Sequence, residues 1–230
     1  MSEPNVNAIP MARQKGNVKQ MVSLAMICAI AFVVMLLSKL LPQVYTFLQL
    51  DVKDTVICIG GFVFGPVAAA RFHHRASAGD VLCQRHGPIG FIMNVLATAS
   101  FCCTASFVYK KVHTKKGAIV GLTLGVIMLT AVMLLWNYLI TPIYQGLPRE
   151  TVAAMLPTVF LPFNVVKGGL NMALILVLYK PVVTALRKAR LVPESQVSTQ
   201  GRKLGAGYLL FSLALLATFV TIALVLMGIL

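Results

Sequence analysis

Long apolar runs alternate with short polar ones along this chain, and the runs are too uniform for one-faced soluble helices. Met21–Leu41, Gly117–Ile140 and Leu204–Leu230 are almost unbroken in their hydrophobicity. Each reaches the roughly 20 residues an α-helix needs to cross about 30 Å of hydrocarbon. Three less uniform stretches, Thr55–Ala70, Gly87–Tyr109 and Thr158–Tyr179, read as further spans. Trp136 and Tyr138 fall where an interfacial anchor belongs, near the end of the Gly117–Ile140 run. The polar stretches PQVYTFLQLDVKD (42–54) and TPIYQGLPRETVAAMLP (141–157) read as connecting loops. The pattern predicts an all-α integral membrane protein in four parts. A basic tail covers 1–20, a six-helix membrane domain 21–190, a polar linker 191–203, and an additional hydrophobic helix 204–230. No soluble domain or internal repeat is visible.

Composition agrees: 58% of residues are hydrophobic and 11% charged, against about a quarter charged in a soluble domain. The net charge of +14 would suggest nucleic acid in a soluble protein, but its distribution says otherwise. Arg13, Lys15 and Lys19 precede the first span; Lys110, Lys111, Lys115 and Lys116 follow the fourth; Lys180, Arg187, Lys188, Arg190, Arg202 and Lys203 follow the sixth. Only Lys39, Lys53 and Arg149 would lie opposite. This is the positive-inside asymmetry, which predicts a multi-pass protein of the cell membrane with a cytoplasmic N-terminus. The charge serves topology and contact with the lipid bilayer, not nucleic acid. The tail is longer than a leader's basic region and no A-x-A-like site follows, so no cleaved signal peptide is expected. Five cysteines without a C-x-x-C read as small hydrophobes.

One stretch breaks the pattern. RFHHRASAGDVLCQRH (71–86) is charged, yet the side-counting requires a span there. A charge at mid-bilayer costs about 2.5–3.5 kcal/mol, so Arg71, Arg75, Asp80 and Arg85 together would be prohibitive unless buried in protein. Its His, Asp and Cys residues lack the usual ligand spacing on a helix, which argues against a metal site. A polar helix lining a cavity is a second reading. Read one base later, the same codons admit an apolar span with a polar end. The third reading is therefore a frame-shifted segment, and no function is assigned to it.

Three groups carry candidate chemistry. Asp51 and Asp54 sit beside apolar Phe47, Leu48 and Leu50 in the 42–54 loop; they either solvate it, cap the next helix or serve a ligand. Asn164, Lys167 and Asn171 fall at i, i+3 and i+7, one helix face. Lys167 lies about 13 Å below Thr158 at 1.5 Å per residue, deep enough to be a functional residue rather than a snorkelling one. Asn94 and Asn137 add amides in neighbouring spans; packing glue is the alternative for each. An apolar pocket with a few convergent hydrogen-bonders would take a small planar ligand. No phosphate-binding loop, nucleophile elbow or pair of intramembrane carboxylates supports catalysis, and a lipid-modifying enzyme would need one.

Together FLQLDVKD, IGGFVFGPVA, GPIGFIMN, WNYLITPIY and FLPFNVVKGGLN resemble the riboflavin-specific substrate-binding subunits (S components) of energy-coupling-factor (ECF) transporters over residues 20 to 195, interrupted at 71–86. Where that family reads F-L-K-L-D-F-S-D, this chain has Gln49, Val52 and Lys53. The resemblance implies a six-helix bundle that binds riboflavin from outside as cargo, without a cofactor. It further implies docking on a transmembrane coupling subunit driven by two cytoplasmic ATPase subunits. Ala25 and Ala29 match the family's A-x-x-x-A docking pattern on the first helix; ordinary packing within the bundle is the alternative. The substrate-binding set expected is Phe47, Leu48, Leu50, Asp51, Asn94, Asn137, Asn164, Lys167 and Asn171, with no catalytic or metal-binding residue. An S component for another vitamin or precursor, or a non-functional product of a frame-damaged gene, are the competing readings.

Overall fold

The computed structural model describes residues 11–44, 48–65, 87–112, 114–188 and 206–230. Phe47 and the whole of 71–86, with its three readings, lie outside them. The described helices are α1 (Met11–Ser38), α2 (Lys53–Phe64), α3 (Gly87–Lys111), α4 (Lys115–Gln145), α5 (Arg149–Met155), α6 (Leu161–Lys188) and α7 (Ala206–Leu226). A π-helical turn, Leu156–Phe160, joins α5 to α6. Among the described residues there is no strand, only an isolated antiparallel bridge between Val44 and Leu48. The all-α membrane fold is as expected: five helical stretches among these residues are long and apolar enough to cross a membrane.

Helix ends depart from the apolar runs. The first helix starts at Met11, ahead of the run at Met21. The second stops at Phe64, where Gly65 takes φ 92°, a conformation open chiefly to glycine. The expected 141–157 loop is largely helical. Pro142 lies inside α4, and the helix ends only at left-handed Gly146 (φ 66°). A proline lacks its N–H but is tolerated in a membrane helix whose neighbours supply other bonds.

Two ends of the bundle can be told apart. At the basic end, where Lys110, Lys111 and Lys188 lie, an aromatic latch joins three helices. Phe62 of α2 stacks on Tyr109 of α3 at 4.4 Å, and the Tyr109 and Tyr179 hydroxyls meet at 3.0 Å. At the loop end, Val44, Leu48 and Leu50 pack with Val152, Val159, Phe160, Phe163, Val166 and Ala223. Between these ends α3 and α4 pack closely. A Cβ on Gly121 would stand 2.9 Å from the Ala105 carbonyl oxygen, and one on Gly125 3.0 Å from that of Phe101. Small residues allow such approach where apolar burial gives no net drive between helices. The first helix buries the stripe Ser23, Ile27, Ala31, Met35 and Ser38. Ala25 and Ala29 fall on its exposed side.

Candidate functional site

A buried polar knot forms at the loop end, where the N-terminus of α2 meets α3 and α6. Helix N-termini leave backbone N–H groups unpaired, and in hydrocarbon these must find partners within the protein. Asp51 supplies one: its Oδ1 accepts the Lys53 N–H at 2.8 Å, and its other carboxylate oxygen pairs with Lys53 Nζ. The fully buried Lys53 is therefore neutralised by its near neighbour. Asn171, reaching across from α6, supplies another partner. Its Oδ1 accepts from the Thr55 N–H at 2.9 Å and from Thr55 Oγ1 at 2.8 Å. Its Nδ2 donates to the carbonyls of Asp51 at 2.9 Å and Lys167 at 3.0 Å. An amide offers two donors and two acceptor sites, so this side chain is saturated by protein atoms. Sequence spacing aligned Asn171 with Asn164 and Lys167; its amide turns instead to α2.

Asp54 is the second carboxylate of the knot. Thr98 Oγ1 on α3 donates to its Oδ1 at 2.6 Å, and the Cys102 thiol lies 3.5 Å from its carbonyl. Lys167 is 7% exposed and sits in the second turn of α6, about 9 Å below its start at 1.5 Å per residue. Lys53, Asp54 and Lys167 are buried and Asp51 is partly so. Pairing with Asp51 makes the burial of Lys53 far less costly than that of an unpaired charge.

The remaining amides sit on the flanking helices. Asn137 on α4 donates to the Met133 carbonyl at 2.7 Å and accepts from Thr141 Oγ1 at 3.0 Å. Asn164 donates to the Phe160 carbonyl at 2.8 Å. That carbonyl belongs to the π turn, whose i→i−5 spacing is visible in the bond from the Leu161 N–H to the Leu156 carbonyl. π turns are frequent at functional sites. Both amides are almost wholly buried. Asn94, half-buried on α3, lies one turn before Thr98. Leu48 and Leu50 are tucked into the loop-end cluster. Phe47 lies outside the described residues.

Thr55, Thr98, Thr141 and Lys53 were not singled out from sequence as part of this network. Two of the threonines follow an amide at i+4 (Asn94 to Thr98, Asn137 to Thr141), a same-face signal that could have revealed them. Among the described residues no group of three or more His, Cys, Asp or Glu is placed to hold a metal.

With this geometry in view, similarity to known proteins is informative. Residues 19–183 match the family model described as "ECF transporter, substrate-specific component". The chain is 30% identical over 187 residues to the riboflavin transporter FmnP of Bacillus subtilis, covering 76% of this chain and 98% of that protein. It is 29% identical over 185 residues to the riboflavin transporter RibU of Staphylococcus aureus, with the same coverage. A solved structure, reported as the S component of a bacterial ECF transporter, superposes with a TM-score of 0.64 at 29% identity, over 74% of this chain and 99% of that one.

Proposed function

Because this chain belongs to the family of substrate-specific components of ECF transporters, we propose that it captures riboflavin from outside the cell and presents it to an energising module. It is a transport protein and not an enzyme, and riboflavin is its cargo rather than its cofactor. The observation that carries the reading is the buried set Asn137, Asn164 and Lys167, in a chain that spans 98% of two riboflavin transporters. An isoalloxazine ring has flat apolar faces and an imide edge reading acceptor, donor, acceptor. Each asparagine offers a donor and an acceptor to such an edge, and the Lys167 ammonium a donor to a ring carbonyl or the ribityl chain. Asn94 adds a polar contact from α3. Leu48 and Leu50 cover the ring from the loop, and the sequence assigns Phe47, outside the described residues, to the same role. Asp51 and Asn171 act at one remove, by pinning that loop and α2 to the helix that bears Lys167.

The bundle lies in the cell membrane with its basic end, and therefore its N-terminus, in the cytoplasm. Association with an ECF module follows from the family. In its finer form, the exposed side of α1 at Ala25 and Ala29 docks on a transmembrane coupling subunit that two cytoplasmic ATPases drive. The test is direct. Purified from riboflavin-containing medium, the protein is expected to be yellow with flavin absorbance, and the stripped protein to quench added riboflavin's fluorescence at one site per chain. Colourless protein that leaves riboflavin fluorescence unchanged refutes the assignment.

A further inference from the structure

The last helix lies beyond the family match, which ends at residue 183, yet it touches the proposed site. It runs antiparallel along α6. The Tyr208 hydroxyl reaches the Leu176 carbonyl at 3.4 Å near one end, and Ala223 and Met227 join the loop-end cluster at the other. Between them the Phe219 ring lies on the backbone of α6. A Cβ on Gly169 would stand 2.1 Å from Phe219 Cζ and 2.2 Å from Cε1, so only a glycine admits the ring there. The preceding residue, Gly168, faces the opposite neighbour, with Val126 and Leu129 of α4 3.1 Å from a Cβ built on it. These two glycines follow Lys167 directly, so α4 and α7 grip the backbone of α6 immediately after Lys167. Phe219 and Leu226 also pack against the cluster that contains Leu48, Leu50, Phe163 and Val166. One added helix therefore braces both the ligand-bearing turn of α6 and the loop that would cover the ligand.

We propose that α7 is a built-in clamp on the binding site, with Phe219 as a positioning residue that holds the Lys167 turn and the 48–51 loop against bound cargo. The inference rests on the riboflavin reading above. Its consequence is kinetic. A brace that holds the closed arrangement slows release more than it changes encounter, as most affinity differences between related complexes lie in dissociation.

The experiment compares full-length wild type, Phe219→Ala, Phe219→Leu, Gly169→Ala and the Gly169→Ala/Phe219→Ala double variant. Riboflavin dissociation is followed by fluorescence recovery and ligand-free stability by thermal unfolding. Phe219→Ala is expected to speed dissociation about tenfold with association changed less than about twofold, and Phe219→Leu to restore most of the wild-type rate. Gly169→Ala, whose methyl displaces the ring, is expected to speed release too, and the double variant to release no faster than Phe219→Ala alone. Should Phe219→Ala prove unstable, Phe219→Leu and Gly169→Ala carry the comparison. Variants that lower the unfolding temperature but release riboflavin at the wild-type rate overturn the clamp and leave the binding reading standing. A wild type that binds no riboflavin overturns both.

Discussion

Asn171 does for α2 what a cap residue usually does from within the chain. Its carbonyl oxygen takes the Thr55 N–H and hydroxyl, while its NH2 holds the Asp51 and Lys167 carbonyls. Replacing it with alanine removes the donor to the Asp51 carbonyl and leaves Thr55 only its longer bonds to the Val52 and Asn171 backbone carbonyls, at about 1–3 kcal/mol for such a loss. Asn171→Ala is accordingly expected to lower the unfolding temperature of the ligand-free protein, measured in one detergent. Lys167 and Asn164 differ, since each has hydrogen-bonding capacity beyond its partners among the described residues. Lys167→Ala and Asn164→Ala should each weaken riboflavin binding by about 1–3 kcal/mol, the cost of an unpaired buried ligand group, as read by fluorescence titration; unchanged affinity removes both from the site. The amides and Lys167 were legible in the sequence because polar letters stand out in an apolar run. The threonines were less so: a threonine in a membrane helix can bond its own i−4 carbonyl and by itself marks no tertiary partner, so only the amides four residues before Thr98 and Thr141 set those two apart. Lys53 was hidden by its neighbours: charges at 51, 53 and 54 look like a solvated loop, and only the fold shows that Lys53 is buried and paired with Asp51.

The elements themselves were legible in their existence and less so in their limits. Hydrophobic length marks a span, but ends are set by local chemistry such as the positive φ of Gly65 and Gly146 and the π turn around Pro157. That is why the polar-looking 141–157 stretch proved mostly helical. Between α3 and α4 the spacing Gly117, Gly121, Gly125 encodes contact rather than flexibility. Gly125→Leu would drive a side chain into Phe101 and is expected to cost about 1–3 kcal/mol by overpacking. Loss of the monodisperse peak on size-exclusion chromatography, or a lowered unfolding temperature, would register it. Gly207→Ala, where nothing lies within 4 Å of the new methyl, should behave as wild type.

At the scale of the molecule, the proposed binding and docking roles fall on different surfaces. The polar knot draws on α2, α3 and α6, while the Ala25–Ala29 side of α1 is exposed and α7 packs along α6. Ala25→Leu with Ala29→Leu is therefore expected to leave riboflavin affinity of the purified protein intact, while uptake of labelled vitamin by cells that carry the energising module falls at least about tenfold. Equal loss of binding would place those alanines inside the bundle's own packing instead. The A-x-x-x-A spacing was readable in advance. The reach of α7 to the loop cluster was not, because a uniformly apolar helix carries no mark of which face will meet a partner.

The latch of Phe62, Tyr109 and Tyr179 has a last consequence. It knits α2, α3 and α6 together at the far end of the same helices that frame the polar knot, so these three helices are fastened near both ends, like staves held by two hoops.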